Sequence, residues 1–232
     1  MNATRLLLIS NSTLHGSGYL DHAENEIQSF LGGKSRVLFV PYAMYDRDSY
    51  AALARRRFEA MGHTLNSAHE PDSSIDRADV VFVGGGNTFR LLDSLYRQEL
   101  LEPIRHRVAH GMPYIGSSAG SIVACPTLKT TKDMPVVEPP SFDALGLVPF
   151  QISPHYLDPD PASTHMGETQ EERIQQYLEE NDLPVVGLRE GSMLRIEGSA
   201  LVLVGRAAAR LFARGRRPVE SEPGARLDHL LA

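Results

Sequence analysis

Ser118 stands at the centre of Gly116-Ser117-Ser118-Ala119-Gly120, a G-x-S-x-G spacing that follows the apolar run Met112 to Ile115. After a strand, this spacing builds a sharp turn that exposes the serine hydroxyl and sets the start of the next helix beneath it. A serine hydroxyl is a poor nucleophile at neutral pH. It therefore needs a base, an acid to orient the base, and N–H donors for the oxyanion. The same pentapeptide also fits a plain glycine-flanked turn that caps a helix. The glycines favour the elbow, since they leave room for the crowded turn, and neither Ser117 nor Ser121 has a glycine two places away on both sides.

The oxyanion donors have a natural source in Gly84-Gly85-Gly86-Asn87-Thr88, which follows a strand and opens a helix. It matches neither G-x-x-x-x-G-K-[ST] nor G-x-G-x-x-G, so a nucleotide site is disfavoured. Two readings remain: a tight turn, or a loop whose Gly85 or Gly86 N–H points where the Ala119 N–H points. Nine histidines compete for the base. His155, in Ile152-Ser-Pro-His-Tyr156, follows a candidate strand and so falls where parallel strands gather catalytic groups. His165, in a polar loop, is the runner-up, while His106 and His110 read as helix-surface residues. Two acids compete to orient the imidazole. Glu190 follows the buried run Val185 to Leu188, and Asp133 lies in the loop Thr130 to Met134. The first gives the chain order Ser, His, Glu and the second Ser, Asp, His, the order of α/β-hydrolases. The residues alone leave this choice open.

These groups need a scaffold that brings strand ends together, and the first half of the chain has its pattern: short apolar runs alternating with helix-length amphipathic segments, as in a parallel sheet with helical crossovers. Strands are expected at 5–9, 36–40, 63–67 and 79–83, with helices at 20–31 and 48–61 and one opening at Asn87 or Thr88. Met112 to Ile115 leads into the elbow, and a short helix from Ala119 must end before Pro126. Residues 127–140 read as a long loop, 147–152 as a strand, 168–180 as a helix and 184–188 as a buried strand. From Met193 on, short runs at 193–196, 200–204 and 208–212 between glycine turns predict antiparallel strands. No linker or repeat interrupts the pattern, so one domain over 1–232 is expected.

Bulk properties narrow the function. A net charge of −6 argues against a nucleic-acid partner, and the local cluster Arg210, Arg214, Arg216 and Arg217 reads as a solvated strand-and-turn face. No apolar run is long enough for a signal peptide or a membrane span. The single cysteine, Cys125, excludes an intramolecular disulfide and cysteine-based zinc sites, which fits a reducing cytoplasm. The oligomeric state is expected to be monomer or homodimer.

Taken together, several segments resemble the peptidase E (aspartyl dipeptidase) family of S51 serine peptidases, whose fold is similar to class I glutamine amidotransferases. They are Leu8 to Thr13, Val83 to Phe89, Tyr114 to Gly120, Ala124 to Thr127, Thr130 to Pro135, Phe142 to Leu145, Pro154-His155, Gly167 to Thr169 and Gly187 to Gly191, in order along the chain. The resemblance implies an α/β fold with a mostly parallel sheet, helices on both faces and a small antiparallel C-terminal extension. It implies Ser118 as nucleophile, His155 as base and either Glu190 or Asp133 as the acid; Glu190 is favoured because a strand-end carboxylate is held more rigidly. It implies a small peptide substrate with an N-terminal aspartate and no metal or other cofactor. Asn87, Lys132, Gln170 and Arg173 are the candidate substrate contacts. One departure stands out: the resemblance leads to Gly-Glu-Thr-Arg, with the arginine on the substrate's aspartate, and this chain has Gln170 there. Two further readings stay open, a cyanophycinase-like or broader peptidase with the same triad, and a non-catalytic small-molecule binding module on the same fold.

Overall fold

The computed structural model describes residues 4–71, 73–162, 164 and 166–232. Strand β1 (Arg5–Ile9) sends Leu6 and Leu8 to one side and Leu7 and Ile9 to the other, all fully buried, as a strand covered on both faces requires. A 3-10 turn at Asp21–Ala23 and helix α1 (Glu24–Leu31) return the chain to β2 (Arg36–Val40). Helix α2 (Arg47–Ala60) starts where the Asp46 carboxylate accepts from the Ser49 N–H, and leads to β3 (Thr64–Ser67) and then β4 (Val80–Val83). Directly after the glycine run comes α3 (Thr88–Arg97), capped by Asn87, whose side chain accepts from the Arg90 N–H. Helix α4 (Leu101–Ala109), strand β5 (Tyr114–Ser117) and the short α5 (Ala119–Ile122) follow. Beyond a long loop lie β6 (Gln151–Pro154), α6 (Gln170–Glu180), β7 (Val185–Leu188), β8 (Ser192–Glu197), β9 (Ala200–Gly205), β10 (Ala209–Phe212) and β11 (Val219–Ser221).

The main sheet has seven strands in the order β3-β2-β4-β5-β1-β8-β9, parallel from β3 to β1 and antiparallel at β8 and β9. One face packs Leu7, Phe39, Phe82 and Ile115 against α1 and α2. The other packs Leu8, Val40, Val83 and Tyr114 against α3, α4, α5 and residues of a second sheet. That second sheet has four strands, β11-β10-β7-β6, with β6 and β7 parallel and Pro154 opposite Leu188. Helix α6 lies over it, with Ile174 and Leu178 against Tyr156, Val185 and Phe212.

The expected α/β architecture is present, and most element positions agree within two residues. The differences have local causes. The strand expected at 147–152 begins later, at Gln151, because Leu145, Gly146 and Leu147 spend their N–H groups on the carbonyls of Val123, Cys125 and Ala124. The C-terminal strands do not form one extension. Strands β8 and β9 widen the main sheet through β1, whereas β10 pairs with β7 and builds the second sheet.

Candidate active site

Strand β5 ends in the elbow. Ser118 has φ 51° and ψ −109°, a backbone state that L-residues avoid and that costs on the order of 1–3 kcal/mol. Its own peptide groups offset the strain: the Ser118 N–H donates to Ile9 O at 2.9 Å, and its carbonyl accepts from the N–H groups of Ser121 and Ile122. At about 1 kcal/mol for each hydrogen bond, these contacts balance the strained turn. The flanking glycines are sterically required. A Cβ on Gly120 would overlap the Val83 carbonyl oxygen, and one on Gly116 would press on the backbone of Gly120.

The turn aims the hydroxyl at His155, with Ser118 Oγ 2.9 Å from His155 Nε2. On the far side of the ring, Nδ1 lies 2.7 Å from Glu190 Oε1. A carboxylate accepts only, so it selects the tautomer with the proton on Nδ1 and leaves the Nε2 lone pair for the serine O–H. His155 is itself held at φ 51°. The parallel pairing of β6 with β7 explains why the two side chains meet: with Pro154 opposite Leu188, the residues that follow each strand leave the sheet side by side.

Asp133 is elsewhere. Its Oδ2 accepts from the Thr88 N–H at 2.7 Å and the Thr88 hydroxyl at 2.6 Å, at the first turn of α3. Beside it, the Asn87 amide donates to Met134 O. The structure thus brings Glu190 to His155 and leaves Asp133 as an anchor of the long loop, at a helix N-terminus that favours a carboxylate. His165 lies outside the described residues.

The Gly85 backbone hydrogen-bonds the buried Tyr50 hydroxyl, and a Cβ on Gly85 would press against Ser118 Cβ. Among the described residues, the Gly86 and Ala119 N–H groups have no protein acceptor. Gly86 has φ 132°, a conformation suited to glycine, and a Cβ there would press on Ala43 O and Met44 Sδ.

Lys132 meets the backbone at His155. Its ammonium donates to Pro154 O at 2.7 Å, His155 O at 3.1 Å and Gln170 Oε1 at 3.1 Å. Desolvation lowers the pKa of this ammonium to about 8. Gln170 also accepts from the Leu157 N–H. Arg173, half exposed, lies 3.6 Å from Glu168. Lys132, Gln170 and Arg173 line one cavity of about 80 Å³ together with Thr131 and Ser153, room for a short side chain. Asn87 is not among its lining residues.

Two of the four arginines of the cluster are paired: Arg210 with Glu171 and Glu220, and Arg214 with Asp182. Among the described residues no group of three His, Cys, Asp or Glu side chains is placed to hold a metal ion, and no helix is long and apolar enough to cross a membrane. Sequence reasoning gave no role to Ser10 and gave Thr88 only that of a candidate helix cap; both are fully buried. The available signal was position, since each is a polar residue just past a buried strand or glycine run at the C-terminal edge of the parallel sheet.

A serine on a strained strand-to-helix turn, in line with an imidazole and a carboxylate on an α/β scaffold, defines a serine-type peptidase. The sequence profile of peptidase family S51 matches residues 6–204, and the chain belongs to that family. It is 56% identical over 229 residues to peptidase E of Streptomyces coelicolor, covering 97% of this chain and 94% of the relative. To a Drosophila melanogaster protein named "probable alpha-aspartyl dipeptidase" it is 47% identical over 236 residues, covering 99% and 98%. Its fold is similar to the crystal structure of a peptidase from an acI-B1 Actinobacterium, with a TM-score of 0.69 at 17% identity over 97% of this chain and 96% of that one.

Proposed function

We propose that this chain is a cytoplasmic serine dipeptidase, a single α/β domain that hydrolyses dipeptides with an N-terminal aspartate. The continuous line Ser118, His155, Glu190, at 2.9 and 2.7 Å, carries the reading. Ser118 Oγ attacks the peptide carbonyl carbon while His155 Nε2 takes its proton. The carbonyl oxygen becomes an oxyanion between the N–H groups of Gly86 and Ala119, and Glu190 stabilises the imidazolium. His155 then passes the proton to the leaving amine, the C–N bond breaks, and water repeats the sequence on the acyl-serine to release the free N-terminal residue.

The small cavity lined by Lys132, Gln170 and Arg173 is the candidate place for the substrate's aspartate. A buried carboxylate needs a cation or several donors, because leaving it unpaired costs several kcal/mol. Gln170 supplies no charge, so Lys132 is the leading recognition group and Arg173 the second. A broader S51 specificity is the alternative, favoured by one observation: the Lys132 ammonium is already engaged with three oxygens. The test is kcat/KM for Asp-Leu, Asn-Leu, Glu-Leu and Ala-Leu with wild type and Ser118→Ala. Asp-Leu should lead, and Ser118→Ala should turn over none of them. Comparable rates for all four support the broader reading, and unchanged turnover by Ser118→Ala rejects the serine mechanism.

A further inference from the structure

The nucleophile and its base stand on different sheets. Ser118 follows β5 of the seven-stranded sheet, whereas His155 and Glu190 follow β6 and β7 of the four-stranded one. No β-ladder joins β5 or β1 to β6 or β7, so strand register cannot set the distance from Ser118 to His155. Something else must fix it, because a misplacement of about 1 Å at the reacting atoms can cost a hundredfold in rate.

Ser10 occupies the gap. It directly follows β1, whose pairing with β5 sets Ile9 opposite Ser117 and hence Ser10 beside Ser118. Its hydroxyl, fully buried, donates to Leu188 O at 2.7 Å and accepts from the His155 N–H at 3.0 Å. Leu188 O also accepts from the Tyr156 N–H, so this knot takes in the N–H of the base, the N–H of the residue after it, and the strand that leads to Glu190. The neighbours of Ser10 extend the tie. Ile9 O accepts from the Ser118 N–H and the Ser121 hydroxyl, the Ser10 N–H donates to Ser192 O, and Asn11 Oδ1 accepts from the Gly191 N–H.

We propose that Ser10 is a positioning residue: its buried hydroxyl cross-links the two sheets and holds His155 and Glu190 at working distance from Ser118. It touches neither substrate nor reacting atoms. This inference rests on the serine-peptidase reading for its kinetic test, and a spectroscopic arm tests it independently of turnover. In Ser10→Ala, kcat should fall roughly 10- to 100-fold, as a displacement of up to about 1 Å at the reacting atoms would cause, with KM within about twofold. Ser10→Cys, which keeps size but offers a weak donor, should fall between, and it carries the test if the alanine variant does not fold. Ser67→Ala is the control. Ser67 is equally buried, on the far edge strand β3, so it should lose stability and keep kcat.

The spectroscopic arm is the low-field proton NMR signal of His155 Nδ1–H on Glu190. It should be present in wild type and Ser67→Ala, and broadened or lost in Ser10→Ala. If kcat and the proton signal survive in Ser10→Ala, or if Ser67→Ala loses kcat to the same extent, the proposal is wrong. If wild type cleaves no dipeptide, the functional reading fails, and the proton signal alone decides the role of Ser10.

Discussion

The elbow and the edge that carries the base are built in opposite ways. Around Ser118 the geometry is imposed by backbone: a parallel strand buried on both faces, a helix start, and two glycines that admit no Cβ. Around His155 and Glu190 it is imposed by side chains, namely Ser10 from one side and Lys132 from the other, and both residues of the pair are over 40% exposed. A steric cage has no tolerance, whereas a set of hydrogen bonds can be weakened one at a time. The elbow should therefore fail by unfolding and the edge by graded loss of rate.

The largest contrast is expected from Gly120→Ala. With a methyl forced onto the Val83 carbonyl, the strand-to-helix turn has no place to move, and a cost above about 4 kcal/mol is expected. Soluble yield and Tm measure it, and a folded, active variant would show that the cage has slack. Next comes Ser118→Ala, which keeps the turn but removes the attacking oxygen. A kcat loss of a thousandfold or more, about 4 kcal/mol of transition-state stabilisation, should appear with Tm unchanged within a few degrees.

The two acids sharpen the comparison further. Glu190→Gln should cost about a hundredfold or more in kcat with little change in Tm, since it removes the acceptor that fixes the imidazole tautomer and the charge that stabilises the imidazolium. Asp133→Asn should do the reverse. It loses charge-assisted bonds to the Thr88 N–H and hydroxyl, worth roughly 1.5–3 kcal/mol each at most, so thermal denaturation should show a drop of several degrees while kcat stays within about fivefold. A larger kcat loss in Asp133→Asn than in Glu190→Gln would reassign the acid.

The smallest effects concern specificity and pH. Lys132 has its pKa lowered by desolvation from 10.5 to about 8, so its ammonium is charged below that pH and neutral above it, while the substrate carboxylate stays charged throughout. Preference for Asp-Leu over Asn-Leu should therefore fall as pH rises through about 8, by roughly tenfold, and Lys132→Met should abolish that dependence. The folding contribution has the opposite sign. Between about 8 and 10.5 the unfolded lysine still binds a proton that the folded one has released, so Lys132 adds stability as pH rises across that window. Arg173→Ala should change the preference less than about threefold, because its half-exposed guanidinium is screened and already faces Glu168.

Local pattern made much of this protein legible from its residues. Apolar runs of strand length broken by Gly, Pro and polar residues located the parallel strands, because burial on both faces leaves little other composition for them. The elbow was readable because its steric demand falls on two glycines at fixed spacing, and His155 and Glu190 because they lie one and two residues beyond the ends of buried strands. Which acid meets the imidazole was not local. It was decided by the pairing of Pro154 with Leu188 across a second sheet, together with a helix N-terminus that took Asp133 for its own unbonded N–H groups. Nor could the sequence show that β10 leaves its antiparallel neighbours to build that sheet, or that the hydroxyl of Ser10 ties the sheet to the nucleophile. The Ser10 contacts join residues 145 and 178 positions apart, and neither they nor the strand pairings of the second sheet leave a short-range period in the chain.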